Sequence, residues 1–161
     1  MNKLNKFSLA VILAGCFSMH NVQSAEAFNE NLLPTPGISR PITQTSSLVF
    51  SSVQNTGMII GWTKGSGSFR AVFVKEGSGA ITNPSDLATY TASANWASKG
   101  TQLGTSGYYC VYNGAGSSVS LTALTTGTQY TVQVFEYNGP ASYEMYLTTT
   151  ASDNPKSQST V

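Results

Sequence analysis

Short stretches in which apolar and polar residues alternate, separated by glycine-rich turns, are the feature that most limits how this chain can fold. Three of them place apolar residues at every second position: Leu48 and Phe50; Met58, Ile60 and Trp62; Ala71 and Phe73. A period of two is that of a β-strand with one buried face. Regularly spaced short strands predict an all-β sandwich or barrel with almost no helix.

Two glycine pairs superficially suggest phosphate-binding loops. They are Gly65 with Gly67 and Gly77 with Gly79. Phosphate loops lead into the amino terminus of a helix, whereas these glycines join predicted strands. We interpret both pairs as hairpin turns.

A tyrosine motif near the carboxyl-terminal end carries a family resemblance. The run Leu124-Thr125-Thr126-Gly127-Thr128-Gln129-Tyr130, followed by Val132 and Val134, resembles the fibronectin type III consensus, and Trp62 resembles its core tryptophan. The resemblance implies an immunoglobulin-like (fibronectin type III-like) sandwich of two antiparallel sheets with about seven strands. It also implies core positions for Trp62, Leu124 and Tyr130.

One stretch is longer than a simple sandwich needs. More than forty residues separate Val74 on the predicted third strand from Val119 on the predicted fifth. We expect an extra hairpin or a long ordered loop between these strands. The sequences 70–77 and 109–114 resemble a subfamily of these domains in multidomain bacterial surface proteins, which implies a spacer or adhesion role.

The amino terminus indicates export. Two lysines precede an apolar run at 7–15 that is too short to span a bilayer, as in secretory signal peptides. The run ends in Leu13-Ala14-Gly15-Cys16, which resembles a bacterial lipobox and implies lipid modification of Cys16. Cleavage further on, after Ser24 for example, is the alternative.

These signals divide the chain into four parts. We predict a signal peptide at 1–24, or 1–15 if the lipobox is used, and a Pro/Asn/Thr-rich linker at 25–46. The domain would follow at 47–152, with a polar tail at 153–161. The predicted location is the outer membrane or cell surface as a lipoprotein, or the secreted fraction.

Charge argues against several partners. Only 9% of the residues are charged, and loss of Lys3 and Lys6 with the leader leaves six basic and seven acidic residues, a net charge of −1. No basic cluster could follow a nucleic-acid backbone or bind anionic lipids. We therefore predict that the protein binds no nucleic acid and that it contacts a membrane only through a lipid on Cys16.

Catalytic and metal-binding groups are sparse. The only histidine is His20, before the domain, so no Ser-His-acid triad or Cys-His pair is available inside it. The acids are too scattered for a calcium loop, and no cofactor or metal is predicted. Glu136 has the strand parity of Val132 and Val134, which suggests Arg70 as a cross-strand partner. Cys110 is expected to be a buried, inert thiol without an internal disulfide.

Aromatic residues in loops are the remaining candidates for ligand contact. We single out Trp96, Tyr143 and Tyr146, because flat rings beside polar residues stack on sugars or anchor proteins. The leading hypothesis is a non-catalytic, monomeric, cell-surface or secreted interaction or adhesion module of a bacterium, with a protein or glycan partner. The alternative is a carbohydrate-binding module, and a hydrolase ranks last.

Overall fold

The computed structural model describes residues 37–161. The predicted signal peptide, Cys16, His20 and the linker up to residue 36 lie outside the described residues. Lipidation and export therefore stay predictions from the sequence.

Eight strands and one short 3₁₀ turn make up the described part of the chain. The turn is Trp96–Ser98. The strands are β1 (Ser46–Ser51), β2 (Met58–Thr63), β3 (Phe69–Glu76), β4 (Tyr109–Gly114), β5 (Ser118–Leu121), β6 (Gln129–Asn138), β7 (Met145–Tyr146) and β8 (Lys156–Ser159).

The strands form two antiparallel sheets. One has three strands in the order β1-β2-β5; the other has the order β4-β3-β6, with β7 and β8 both along the far side of β6. Side chains of both sheets meet in one hydrophobic core. The prediction of an immunoglobulin-like sandwich of two antiparallel sheets is confirmed.

The two predicted glycine hairpins are not hairpins. Gly65 and Gly67 lie between β2 and β3, and these strands belong to different sheets. Gly77 and Gly79 open the connection to β4, which runs from residue 77 to residue 108 before β4 pairs with β3. Of the two expected forms of the insertion, the long ordered loop is the one present; we call residues 77–108 the long connection.

The five-stranded sheet is buried on both faces. Its inner face packs on the other sheet in what we call the inner cluster, while its outer face carries a second apolar group, the outer cluster. On β3, Val72 and Val74 face inward and Ala71 and Phe73 outward, because successive side chains of a strand alternate. The outer cluster comprises Ala71, Phe73, Tyr90, Leu103, Tyr108, Cys110, Phe135, Tyr137 and Tyr146.

Both predicted ends of the domain need correction. The stretch 153–161, predicted as a polar tail, contains β8, which pairs with β6 through Lys156↔Val132 and Gln158↔Tyr130. Its polar residues suit an edge strand that has little apolar surface to bury. On the other side, Gln44 and Thr45 of the predicted linker are buried, so the ordered domain begins before residue 47.

Candidate functional site

Glu136 is the most heavily bonded polar side chain of the sandwich, and it is fully buried. It stands opposite Arg70 in the β3–β6 register. The Arg70 Nε and Nη2 atoms donate to its two carboxylate oxygens, each at 2.9 Å, and the Thr45 hydroxyl donates to Oε1. The predicted cross-strand ion pair is confirmed.

The loop between β2 and β3 supplies two more donors to the same carboxylate. The backbone N–H groups of Gly65 and Gly67 lie 2.8 and 2.9 Å from its oxygens. A β-carbon on Gly67 would stand 2.6 Å from Glu136 Oε2, so glycine is required there by the close approach. Two N–H groups of one loop thus converge on an anion that is the protein's own side chain, while the N–H of Ser66 between them donates to the Thr43 carbonyl. Glu136 is therefore structural.

The three residues predicted for the core are buried in the inner cluster: Trp62, Leu124 and Tyr130. The Tyr130 hydroxyl accepts a hydrogen bond of 2.9 Å from the backbone N–H of Thr125. This bond ties the turn before β6 to the start of that strand.

Trp96 does not offer a face to a ligand, which corrects the sequence prediction. Only 5% of it is exposed, and its ring packs edge-on against Tyr109 and Tyr130. Its Nε1 atom donates to Glu76 at 2.8 Å, and Lys99 covers its ring at 4.5 Å. The ring extends the core to the end of the sandwich.

Tyr146 is also wrong as a contact residue, because it is completely buried. Its ring lies 4.9 Å from that of Tyr137 and 5.9 Å from that of Tyr90, and its hydroxyl donates to the Ala88 carbonyl at 3.0 Å. Burial and the nearby Glu144 charge raise the pKa of Tyr146. It is a central member of the outer cluster.

Tyr143 is the one predicted contact aromatic that reaches solvent, with 56% of its surface exposed. A second exposed apolar residue, Leu87 at 59%, lies on the adjoining segment, whose N–H at position 87 donates to the Glu144 carbonyl at 2.8 Å. Pro140 and Ala141 beside Tyr143 are exposed as well. We call these four residues the Leu87–Tyr143 patch.

Hydrogen bonds hold the two segments of this patch together. The Thr89 hydroxyl donates to Glu144 Oε1 and accepts from the Ser142 N–H at 3.0 Å. Asp86 accepts from the Tyr146 N–H at 3.0 Å and pairs with Arg40. The patch is therefore fixed on the outer cluster by side chains on both of its sides.

The backbone of the patch is strained at two places. Leu87 has φ +61° and Ser142 has φ +68°, both in the left-handed region. This conformation costs a residue with a β-carbon about 1–2 kcal/mol, and a leucine there is an outlier. Such strain concentrates at functional positions. Here the strain lies at and beside two largely exposed apolar side chains, those of Leu87 and Tyr143.

Glu144 is a buried carboxylate that connects the two segments of the patch, and its burial is energetically unfavourable. It is 1% exposed, and its Oε2 atom has no hydrogen-bond partner among residues 37–161. A buried carboxylate oxygen without a donor is destabilising. This corner of the outer layer therefore combines an unpaired buried oxygen with the strain at Leu87.

Sequence reasoning missed Leu87 because its signal is weak. It stands alone between Asp86 and Ala88 in a stretch without period-two alternation, so no strand pattern marked it. An isolated apolar residue in a polar loop is the only indication, and single exposed leucines are ordinary. Leu87 differs from such residues only in its left-handed backbone conformation and in lying beside the segment that carries Tyr143.

Cys110 is buried in the outer cluster and is not disulfide-bonded. Burial raises the pKa of its thiol to about 12. Because the thiolate is the nucleophile, a thiol in this state is inert at neutral pH. Its predicted burial is confirmed.

The described residues contain neither a cluster of metal ligands nor a membrane-spanning helix. No three His, Cys, Asp or Glu side chains of residues 37–161 come together as a set of metal ligands. Across the same residues, no helix has the length and apolar character needed to cross a membrane.

No family model and no curated protein matches this chain. Solved structures do match. A fibronectin type III domain of human fibronectin type III domain containing protein 3 is 15% identical, covering 78% of this chain and 91% of that one, with a TM-score of 0.43. A fibronectin type III domain of human collagen XX is 18% identical, covering 67% and 92%, with a TM-score of 0.38.

A third match is the FN5 domain of Drosophila Lar, at 12% identity, covering 65% of this chain and 92% of that one, with a TM-score of 0.34. At these scores the likeness carries no functional argument. The fold class rests on the strand order and the two sheets themselves.

Proposed function

We propose that this domain is a non-catalytic interaction module that binds a protein partner through the Leu87–Tyr143 patch. One observation carries the proposal: two exposed apolar side chains are held outward on segments that are both strained and hydrogen-bonded to each other. Tyrosine is enriched at protein interfaces and among the residues that contribute most to binding. A pre-ordered patch also reduces the entropy lost on binding.

The proposed setting is the surface of a bacterium or its secreted fraction. The support is the amino-terminal sequence, with its basic start, its short apolar run and Cys16 in a lipobox-like context. Mass spectrometry of the mature protein should find a diacylglyceryl group on Cys16. An unmodified terminus near Ala25 or Phe28 would contradict the anchor and leave plain secretion.

Photo-crosslinking in the producing cells tests the patch. A photoreactive residue at position 143 should give one defined protein adduct, because partner atoms would lie against that side chain. The matched control is position 49, where Val49 is equally exposed at 56% on β1. The adduct should disappear in Leu87→Asp. Equal adducts from both positions, or an adduct that survives Leu87→Asp, would refute the proposal.

A further inference from the structure

The long connection also forms a shallow, open pocket, whose lining shares no residue with the patch. Its two arms, 82–90 and 103–106, border a volume of about 270 Å³. The lining residues are Thr82, Asn83, Ser85, Tyr90, Leu103, Gly104, Thr105 and Ser106. The volume is just below the usual range of small-molecule sites, so we consider ligands no larger than one sugar ring.

The first arm is held in place by β6 and by its own tyrosine. Gln133 on the outer face of β6 brackets residue 82, accepting from the Thr82 N–H at 3.3 Å and donating to the Thr82 carbonyl at 2.8 Å. The Tyr90 hydroxyl accepts from the Ser85 N–H at 3.0 Å. These bonds fix the arm on both sides of Asn83.

The second arm is a tight turn held by a lysine from β3. The Ser106 hydroxyl donates to the Leu103 carbonyl at 2.7 Å, and Lys75 Nζ donates to the Ser106 carbonyl at 2.9 Å. Both walls of the pocket are thus formed before any ligand arrives, which lowers the entropic cost of binding.

The lining chemistry selects a class of ligand. None of the eight lining residues is charged, so an ion would find no opposite charge in the lining. Asn83, Ser85 and Thr105 are exposed and present hydroxyl and amide groups that both donate and accept. Tyr90 and Leu103 are largely buried and provide apolar wall. Alternating hydroxyl and apolar surface is the pattern of a sugar.

We infer that this pocket binds a neutral monosaccharide unit, free or at the end of a glycan. The inference does not depend on the Leu87–Tyr143 patch. It moves carbohydrate contact away from Trp96 and Tyr146, which are buried, and onto the polar arms of the long connection. Asn83 and Thr105 are the residues that would bond the sugar hydroxyls.

A second pocket in the described part of the chain provides the matched control. It has about 320 Å³ and lies at the ends of β2 and β5, lined by residues that include Thr56, Met58 and Thr122, with no aromatic side chain. Thr122 is exposed, like Thr105. A bulky substitution at either threonine therefore fills one pocket and leaves the other open.

Saturation-transfer NMR on the full mature chain tests the inference. The probes are glucose, galactose, mannose and N-acetylglucosamine, each at about 10 mM, a concentration that fills most of a site whose Kd is on the order of 1 mM. At least one should receive saturation and shift the amide signals of 82–90 and 103–106. Thr105→Trp should abolish the effect, Asn83→Ala should weaken binding about fivefold through one lost hydrogen bond, and Thr122→Trp should change nothing.

Three results would overturn the inference. They are no transfer to any of the four sugars, equal loss in Thr105→Trp and Thr122→Trp, or tighter binding of glucuronate than of glucose. All three positions are exposed, so we expect the variants to fold. Unchanged thermal unfolding would exclude misfolding as the cause of lost binding. Loss of crosslinking at position 143 would not affect these outcomes, so the two proposals fail separately.

Discussion

The two faces of the five-stranded sheet are buried by different means. The inner face packs against the three-stranded sheet. Its apolar residues contact those that alternate along β1, β2 and β5. The outer face is covered by the long connection, and four tyrosines, one of them on β7, belong to its cluster. The comparison teaches that loop residues can form a second layer on a sandwich. That layer carries both proposed contact regions.

The two faces also treat a buried carboxylate differently. Glu136 receives donors from Arg70, Thr45 and the glycine loop, while Glu144 receives one from Thr89 and leaves Oε2 without a partner. Both oxygens of Glu136 thus have donors. The outer layer keeps an unsatisfied group next to its exposed patch.

The largest effect is expected from breaking the inner network. Arg70→Ala should lower the free energy of unfolding by about 3–5 kcal/mol, because it leaves the buried Glu136 charge without its cation. Lys64→Ala, which removes an exposed cation near the same loop, should change it by less than about 0.5 kcal/mol. Urea denaturation measures both. Similar small losses would mean that the glycine N–H groups suffice to hold Glu136.

The second-largest effect on stability, after that of Arg70→Ala, is expected in the outer layer. Tyr90→Ala should lower the free energy of unfolding by about 3 kcal/mol, because Tyr90 packs edge-on against Phe73 at 5.1 Å and against Tyr146. The exposed ring of Tyr143 provides the control, and Tyr143→Ala should be nearly neutral.

The same variant shows whether the two layers unfold together. If they do, Cys110 should stay protected from thiol reagents in Tyr90→Ala until the whole domain unfolds. Labelling of Cys110 at denaturant concentrations where tryptophan fluorescence is still native would show that the outer layer opens independently.

Alkaline pH should weaken the outer layer selectively. Burial raises the pKa of Cys110 to about 12, and burial with the Glu144 charge raises that of Tyr137 to about 12. Near neutral pH both states of the protein hold these protons, so stability is unaffected. Above about pH 9 the unfolded chain begins to lose them while the folded chain does not, and stability falls up to about pH 12.

Each such group contributes a slope of about 1.4 kcal/mol per pH unit. Denaturation curves between pH 8 and about pH 11 should therefore show a shallower decline in Cys110→Ala than in the unchanged protein. Identical slopes would contradict a protonated thiol in the folded state.

The smallest effect concerns the strain in the patch. Leu87→Gly should raise the free energy of unfolding by up to about 1 kcal/mol, because glycine adopts φ +61° without penalty. Leu87→Ala keeps a β-carbon and should bring no gain. Thermal unfolding separates them, and a loss of stability in Leu87→Gly would show that the leucine side chain packs usefully.

The sandwich could be predicted because its evidence is local. Alternation at Met58, Ile60 and Trp62 and the motif ending at Tyr130 depend on residues close in sequence, and β-structure follows from them. The partnership of Arg70 with Glu136 also followed, because strand parity placed Glu136 among inward-facing residues. The structure has the pair at 2.9 Å.

The burial of Trp96 in the inner cluster and of Tyr146 in the outer cluster could not be predicted, for a physical reason. Trp96 and Tyr146 stand in stretches that alternate weakly, and polar loops with aromatic residues look the same whether they cover a sheet or face solvent. Their burial depends on contacts between segments far apart in the chain, such as Ala88 with Tyr146. Likewise, β8 has the composition of a polar tail, and only its pairing with β6 shows that it is a strand.

The carboxylate of Glu136 also has a consequence for how the chain assembles. Its donors come from positions 45, 65, 67 and 70, which precede it by 66 to 91 residues. None of them is near Glu136 until β3 and β6 have paired, so the charge must stay hydrated through the early collapse. Such distant pairings slow folding, typically to milliseconds or seconds in all-β domains. We expect these bonds to form late in folding, so substitutions here should change the rate of unfolding more than the rate of folding, as stopped-flow kinetics of Arg70→Ala would measure.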